Sequence, residues 1–159
     1  MSDQRSHVLF LCTGNSCRSQ MAEGWLRELA QGRCRTSSAG TRPKGIHPGA
    51  IAAMAAAGVD LSTQSSDSID AYLDPVPDVV IAVCDHAAEH CPELPGAHVV
   101  RWPFRDPDGA TGTPEEIEAV FHEVRDAIRA RLAAWVDAWP TSLPTPTELL
   151  RAAEATTSA

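Results

Sequence analysis

A short run near the start of the chain, from His7 to Leu11, most constrains the fold because its apolar residues are continuous rather than alternating. Such a run is typical of a strand that is buried on both faces of a parallel sheet. The run from Val79 to Val83 has the same character. Between and after these runs, apolar residues recur at helical spacing, most clearly from Ile117 to Trp139. Strands that alternate with helices predict a parallel α/β sheet with right-handed crossovers.

We predict a single domain with a four-stranded parallel sheet flanked by helices, since 159 residues fit one domain. The predicted strands are residues 7–11, 36–39, 79–83 and 99–100, and the predicted helices are 21–29, 50–57 and 117–139, with a helical turn at 67–73. Thr113, which precedes a proline and two acidic residues, is expected to cap the last helix. We assign the domain to residues 1–139. Residues 140–159 are rich in Pro, Thr and Ala, and we expect a loose tail there with one weak helix.

The charge balance limits the partners of the chain. With 13 Lys and Arg residues against 21 Asp and Glu residues, the net charge is −8, which repels nucleic acid and anionic membranes. No stretch approaches the roughly 18 apolar residues of a transmembrane helix, and Val8 to Leu11 is too short for a signal-peptide core. The five cysteines are expected to stay reduced. We therefore expect a cytoplasmic monomer that binds neither nucleic acid nor membranes and captures anions through local groups.

The segment that joins the first strand to the first helix reads Cys12-Thr13-Gly14-Asn15-Ser16-Cys17-Arg18-Ser19. A loop that opens a helix is a natural anion site, because its amide N–H groups and the helix dipole both favour negative charge. Gly14 lets the backbone approach a ligand, and the planar fork of Arg18 grips two oxygens of a tetrahedral anion. The same field favours the thiolate of Cys12, to which Ser19 is placed to donate a hydrogen bond.

A buried structural cysteine beside a glycine-containing turn is the alternative interpretation of this segment. The Cys-x5-Arg spacing on its own recurs by chance in unrelated chains. Here it follows a predicted strand and opens a predicted helix, which is the context that oxyanion chemistry requires. The context favours an enzyme that attacks a tetrahedral oxyanion, phosphate or arsenate, with the thiolate of Cys12.

The residues from Leu11 to Gly24 are similar to the loop of arsenate reductases built on the low-molecular-weight tyrosine phosphatase fold. Ser38-Ala39-Gly40 and Arg105-Asp106-Pro107 extend this resemblance, which covers residues 7–137. It implies a low-molecular-weight phosphatase-like fold and an enzyme that reduces arsenate to arsenite in arsenic detoxification.

A low-molecular-weight protein-tyrosine phosphatase is the alternative function on the same fold. That activity predicts tyrosines just after Pro107, which would stack on the ring of the substrate. The sequence there is Asp108-Gly109-Ala110-Thr111, and the only tyrosine of the chain is Tyr72. Both observations favour the reductase, although residual phosphatase activity is compatible with the same loop.

The resemblance implies a relay of cysteines. Cys12 attacks arsenate, and Asp106, rather than Asp108, protonates the departing oxygen. Cys84 then attacks the sulfur of Cys12 and releases arsenite. Cys91 attacks Cys84, which leaves a Cys84–Cys91 disulfide for thioredoxin or a similar dithiol donor to reduce. We expect the segment from residue 84 to residue 91 to rearrange in the oxidised protein.

Other interpretations of these thiols remain open. Four side chains have the chemistry of zinc ligands: Cys84, His86, His90 and Cys91. Adjacent ligands such as His90 and Cys91 strain a tetrahedral site, so we rank zinc below both the relay and a purely structural role. A non-catalytic redox sensor is a further alternative, against which the intact set of Cys12, Arg18 and Asp106 argues.

The resemblance also implies a potassium ion near the loop, bound through the residues that match Asn15, Glu23, Ser38 and Asp67. All four side chains offer oxygen, which suits a hard cation, and each also has an ordinary structural role. We expect no tightly bound cofactor.

Several remaining residues are expected to have structural roles. We expect Cys17 either to line the loop or to oxidise with Cys12 as an off-pathway product, and we expect Cys34 to pack in the interior. His47 is expected to be a surface or loop residue rather than a catalyst, and Trp102 is expected beneath the loop that carries Asp106.

Overall fold

The predicted strands pair as one parallel sheet in the computed structural model, which describes residues 3–84 and 96–157. The strands are β1 (His7–Cys12), β2 (Arg35–Gly40), β3 (Val79–Ala82) and β4 (His98–Arg101), in the order β2-β1-β3-β4. Leu11 of the central strand β1 is in register with Ala39 on one side and Ala82 on the other. The carboxyl ends of these strands therefore lie at one edge, which is where ligands bind in open α/β sheets.

Four α-helices accompany the sheet within the described residues: α1 (Arg18–Ala30), α2 (Pro48–Ala56), α3 (Pro114–Asp137) and α4 (Pro146–Thr157). Short 3₁₀ helices occur at Ile69–Tyr72 and Pro107–Gly109. Helix α3 begins as predicted, because Thr113 and Glu116 form a capping box. Helix α2 begins two residues before the predicted start at residue 50, since the His47 side chain accepts a hydrogen bond from the Gly49 N–H at 2.9 Å.

The core lies on both faces of the sheet, as the continuous apolar runs predict. Val8, Leu9, Phe10 and Leu11 are fully buried, as are Val79, Val80 and Ile81. Helices α1 and α3 pack against each other, and both contribute fully buried side chains such as Leu26 and Ile128. Among the described residues, no helix is both long and apolar enough to cross a membrane.

The segment after Pro140 differs from the expected loose tail. Helix α4 packs against α3, β3 and β4, and Leu149 is fully buried. The Trp135 indole N–H donates to the Leu149 carbonyl at 3.0 Å, and that of Trp102 donates to Thr157 Oγ1 at 2.7 Å. Trp102, expected beneath the loop of Asp106, contacts the tail helix and lies edge-on to Trp135. The apolar face that anchors this helix is too short to stand out in a segment rich in Pro and Thr.

We expect Leu149→Ala to lower the free energy of unfolding by about 2–5 kcal/mol, because it removes buried methyl groups and leaves a cavity. Urea denaturation monitored by tryptophan fluorescence measures this change. Leu143→Ala is the matched control, since Leu143 is 58% exposed and its truncation is expected to change stability little. Equal stability of both variants would show that α4 does not contribute to the core.

Candidate active site

The loop from Thr13 to Cys17 is held in place through its backbone carbonyl groups. Three amides of the segment after β2 donate to it: Arg42 to Thr13 (2.8 Å), Lys44 to Gly14 (3.0 Å) and His47 to Ser16 (3.1 Å). The Gln20 side chain donates to the Asn15 carbonyl, and the Met21 N–H to that of Cys17. Because the surrounding protein binds these carbonyls, the loop can direct its amide N–H groups toward an anion.

Two positions show how tightly this loop is built. Asn15 has φ = 45°, the left-handed conformation that asparagine tolerates better than most residues. A Cβ atom added to Gly40, at the end of β2, would lie 2.6 Å from the Thr13 carbonyl oxygen. Position 40 therefore requires glycine, because any side chain there would prevent the end of β2 from contacting the loop.

The thiol of Cys12 lies at the end of β1 and is 3% exposed. Its Sγ is 2.8 Å from Ser19 Oγ, the contact that the sequence predicts. The Asn15 side-chain amide donates to Ser19 Oγ at 2.9 Å. Since this bond uses an acceptor position of the hydroxyl, the Ser19 hydrogen can point at the sulfur and stabilise a thiolate there.

The guanidinium of Arg18 lies between the loop and the chain that follows β4. Its Nη1 donates to the Phe104 carbonyl at 3.1 Å, and its Nη2 is 3.4 Å from Asp106 Oδ2. Its Nε is buried and has no hydrogen-bond partner among residues 3–84 and 96–157. A buried donor of this kind is costly unless something accepts from it, and an oxygen of a bound oxyanion would do so.

These groups surround one cavity of about 540 Å³. Its lining is Cys12, Thr13, Gly14, Ser16, Cys17, Arg18, Arg42, Lys44, Cys84, Asp106 and Asp108. The nucleophile candidate, the arginine, the acid candidate and a second thiol thus meet at one sheet edge, although they come from three separate parts of the chain. Cys91 lies outside the described residues, as do His86 and His90, the histidines considered as zinc ligands.

Asp106 and Cys84 reach the cavity from the ends of β4 and β3. The Asp106 side chain is 52% exposed, and its carboxylate accepts the Asp108 N–H at 3.0 Å. Cys84 is 5% exposed, and its Sγ lies 3.7 Å from Thr13 Oγ1. Both side chains are therefore positioned beside the loop that carries Cys12.

The four residues considered for potassium are joined by hydrogen bonds next to the loop. Asn15 Nδ2 and Glu23 Oε1 both contact Ser38 Oγ, at 2.9 Å and 2.6 Å. The Asp67 N–H donates to Asn15 Oδ1 at 2.7 Å. Burial raises the pKa of Glu23, which indicates a carboxylate that would gain from a nearby positive charge.

Two other cysteines, Cys17 and Cys34, lie in environments that keep their thiols protonated. Burial raises the pKa of Cys17 to about 12 and that of Cys34 to about 12, so both stay protonated near neutral pH. Cys17 lines the cavity, as expected, and Cys34 is buried, in agreement with the predicted packing role.

The sequence did not single out Arg42, Lys44 or His47, which lie near the mouth of the cavity. His47 was expected to be a surface or loop residue, and it lies in the loop before α2, where its ring caps the helix and its Nε2 is 3.2 Å from Asp108 Oδ1. Lys44 Nζ contacts the same carboxylate. No spacing rule connects these residues with Asp108, so only the tertiary structure reveals them.

The family model described as low molecular weight phosphotyrosine protein phosphatase matches residues 7–145. The chain belongs to this family. An arsenate reductase from Halalkalibacterium halodurans is 46% identical to this phosphatase-family chain over 131 residues, which are 82% of this chain and 94% of that protein. The resemblance found in the sequence is thus confirmed.

Two solved structures extend the comparison. An arsenate reductase in the phosphate-binding state superposes with a TM-score of 0.71 at 35% identity, covering 83% of this chain and 97% of that chain. A thioredoxin-dependent arsenate reductase from Corynebacterium glutamicum superposes with a TM-score of 0.62 at 26% identity, covering 82% of this chain and 61% of that chain. The phosphatase-like fold is confirmed by both.

We expect Arg18→Lys to weaken the binding of inorganic phosphate by about tenfold or more, because lysine replaces a planar two-point grip with a single charge. Protection of Cys12 from alkylation by increasing phosphate measures this affinity. Arg42→Lys is the comparison variant, since Arg42 also lines the cavity but lies outside the loop. Equal losses in both variants would mean that phosphate responds to the charge of the cavity rather than to the Arg18 fork.

Proposed function

We propose that this chain reduces arsenate to arsenite through a relay of Cys12, Cys84 and Cys91. The observation that carries the proposal is that two thiols from separate strands, Cys12 and Cys84, line one cavity with an arginine and a carboxylate. Hydrolysis of a phosphoester needs one nucleophilic cysteine and water. Reduction needs two electrons, which a pair of thiols supplies when it becomes a disulfide.

In the first step the Cys12 thiolate attacks arsenic and forms a sulfur–arsenic bond. One arsenate hydroxyl group departs as water after it receives a proton from Asp106, whose carboxyl group lies 3.4 Å from Arg18 Nη2. Loop amides and the Arg18 fork hold the remaining oxygens. The Ser19 hydroxyl, 2.8 Å from the sulfur, stabilises the thiolate before attack.

In the second step Cys84 attacks the sulfur of Cys12. The electron pair of the sulfur–arsenic bond passes to arsenic, which leaves as arsenite, while a Cys12–Cys84 disulfide forms. The contact between Cys84 Sγ and Thr13 Oγ1 at 3.7 Å supports this role, because it places the second thiol beside the loop of the first. Cys91 then attacks Cys84, which releases Cys12 as a thiolate and leaves the Cys84–Cys91 disulfide.

A dithiol protein of the thioredoxin type reduces that disulfide and completes the cycle. The similarity to a thioredoxin-dependent arsenate reductase supports this donor, and the three-thiol set supports it independently. A relay of this kind needs a reducing compartment, so we propose that the chain works in the cytoplasm. We also propose that it is a monomer and that it contributes to arsenic detoxification.

A coupled assay tests this function. The reduced chain is mixed with thioredoxin, thioredoxin reductase and NADPH, and the consumption of NADPH is followed after arsenate is added. Sustained consumption that depends on both arsenate and thioredoxin is the expected result. A parallel assay with an aryl phosphate identifies the alternative. Hydrolysis of the ester without arsenate-dependent turnover would make the chain a phosphatase, and consumption that stops after one equivalent would indicate a redox sensor.

We also propose that a potassium ion binds beside the loop through oxygens of Asn15, Glu23, Ser38 and Asp67. An all-oxygen set with a partly buried carboxylate fits a hard cation. An ion at this position would neutralise Glu23 and rigidify the network that orients Ser19.

Replacement of sodium by potassium is expected to raise the melting temperature by a few degrees, because a ligand at about ten times its dissociation constant adds about 1.4 kcal/mol. Differential scanning fluorimetry at constant ionic strength measures this shift. Glu23→Gln should abolish the difference between the two salts, whereas Glu28→Gln, at an exposed position of the same helix, should keep it. Identical melting temperatures for the unmodified chain in both salts would contradict the site.

A further inference from the structure

Two carboxylates at the mouth of the cavity have different partners. Asp106 Oδ2 faces Arg18 Nη2 at 3.4 Å. Asp108 contacts Lys44 Nζ with one oxygen and His47 Nε2, at 3.2 Å, with the other. The hydrogen bond from Lys44 holds the pKa of Asp108 below its usual range, so this carboxylate stays charged.

The contact between Arg18 and Asp106 conflicts with the reaction proposed above. An acid must carry a proton before it can donate one, and a neutral carboxyl group loses its ionic attraction to the guanidinium. Arg18 must also direct its fork at the oxyanion. The contact that holds Asp106 in the resting protein therefore weakens at the stage when Asp106 has to be in position.

The contacts of Asp108 do not depend on the protonation of Asp106 or on the position of Arg18. Lys44 is fixed to the oxyanion loop, because its N–H donates to the Gly14 carbonyl at 3.0 Å and its side chain lies over Gly14. A Cβ atom added to Gly14 would lie 2.9 Å from Lys44 Cε. His47 is fixed in the same way, through its N–H and the Ser16 carbonyl at 3.1 Å.

Asp108 in turn is bound directly to Asp106. The Asp108 N–H donates to Asp106 Oδ1 at 3.0 Å, and through this bond the Asp106 side chain caps the short 3₁₀ helix Pro107–Gly109. A continuous path of contacts thus runs from the oxyanion loop through Lys44 to Asp108 and on to Asp106. None of these contacts uses Arg18 or the oxyanion.

We propose that Asp108 is a positioning residue, which keeps Asp106 over the oxyanion loop through Lys44 and His47 while Arg18 binds the substrate. This inference rests on the proposed arsenate reduction and adds a residue to it. An ion pair as exposed as that of Lys44 and Asp108 contributes little to global stability, so its effect belongs to the reaction rather than to the fold.

The kinetic test compares Asp108→Ala with Asp106→Asn in the thioredoxin-coupled assay. We expect Asp108→Ala to lower kcat about tenfold and to change KM for arsenate less than twofold, because it displaces the acid but leaves the oxyanion contacts intact. Lys44→Met, which keeps the stem over Gly14, should lower kcat similarly. Asp126→Ala is the matched control, since Asp126 also forms an ion pair, with Arg125, but does not line the cavity and should change neither constant.

A double-mutant cycle shows whether Asp108 acts through Asp106. In the Asp106→Asn background, Asp108→Ala is expected to have no further effect on kcat. An unchanged kcat in Asp108→Ala, or a full tenfold loss on top of Asp106→Asn, would overturn the inference while leaving arsenate reduction established by the unmodified chain.

Hydrogen exchange in saturating inorganic phosphate tests the same inference without turnover. We expect amides of residues 104–110 to exchange about fivefold faster in Asp108→Ala than in the unmodified chain, with no change in Asp126→Ala. Equal exchange would overturn the positioning role even if arsenate were not a substrate. Faster exchange in a chain that does not reduce arsenate would support the role of Asp108 and refute the proposed function alone.

Discussion

Cys12→Ser is expected to reduce arsenate turnover by at least about ten-thousand-fold, because a serine hydroxyl at this position is not ionised and cannot form the sulfur–arsenic bond. Binding of inorganic phosphate should remain within a few-fold of the unmodified value, since Arg18 and the loop backbone are intact. The thioredoxin-coupled assay measures turnover, and equilibrium dialysis with labelled phosphate measures binding.

Cys34→Ala is the matched control for this variant. Cys34 is buried like Cys12, but burial raises the pKa of its thiol to about 12, and it lies outside the cavity lining. It should keep most of the turnover. Retention of more than about one hundredth of the activity in Cys12→Ser would show that another group attacks the oxyanion.

Cys84→Ser is expected to stop the reaction before arsenite leaves, because the electrons that reduce arsenic come from attack on the sulfur of Cys12. Rapid quenching after addition of one equivalent of arsenate should yield less than about a tenth of an equivalent of arsenite, with sustained turnover lost. The serine replaces a side chain that is 5% exposed, so thermal denaturation should confirm that the variant is folded.

Cys91→Ser distinguishes the two halves of the relay. This variant should release one equivalent of arsenite and then stop with a Cys12–Cys84 disulfide, which peptide mapping identifies. Sustained turnover in Cys84→Ser would mean that an external thiol attacks Cys12 directly. One equivalent of arsenite from Cys84→Ser would assign the second attack to another cysteine of the chain.

Much of the fold was predictable because its elements are encoded locally. The continuous runs around Phe10 and Ile81 predicted buried parallel strands, and the sheet buries both residues completely. Thr113 predicted the start of α3, since a capping box depends on residues only three positions apart. The tail was predicted less well, because the burial of Leu149 depends on Trp135 and the strands rather than on its own segment.

In the candidate site, too, the residues that are neighbours in sequence were predictable and those that meet only in the folded chain were not. The loop from Cys12 to Ser19 was predictable, since the nucleophile, the anion-binding backbone and the arginine are neighbours in sequence and their spacing carries the chemistry. The partners of Asp108 were not, because Lys44 and His47 approach it from a segment far away in the chain.

The sequence by itself determined which local structures form and which chemical groups stand in the oxyanion loop, because hydrophobic periodicity, capping and the Cys-x5-Arg spacing act over a few residues. Only the tertiary structure decided that Arg18 meets Asp106, that Cys84 approaches Thr13 and that Lys44 lies over Gly14. These contacts depend on strand register and on the packing of the connecting loops, which bring distant segments to one edge of the sheet.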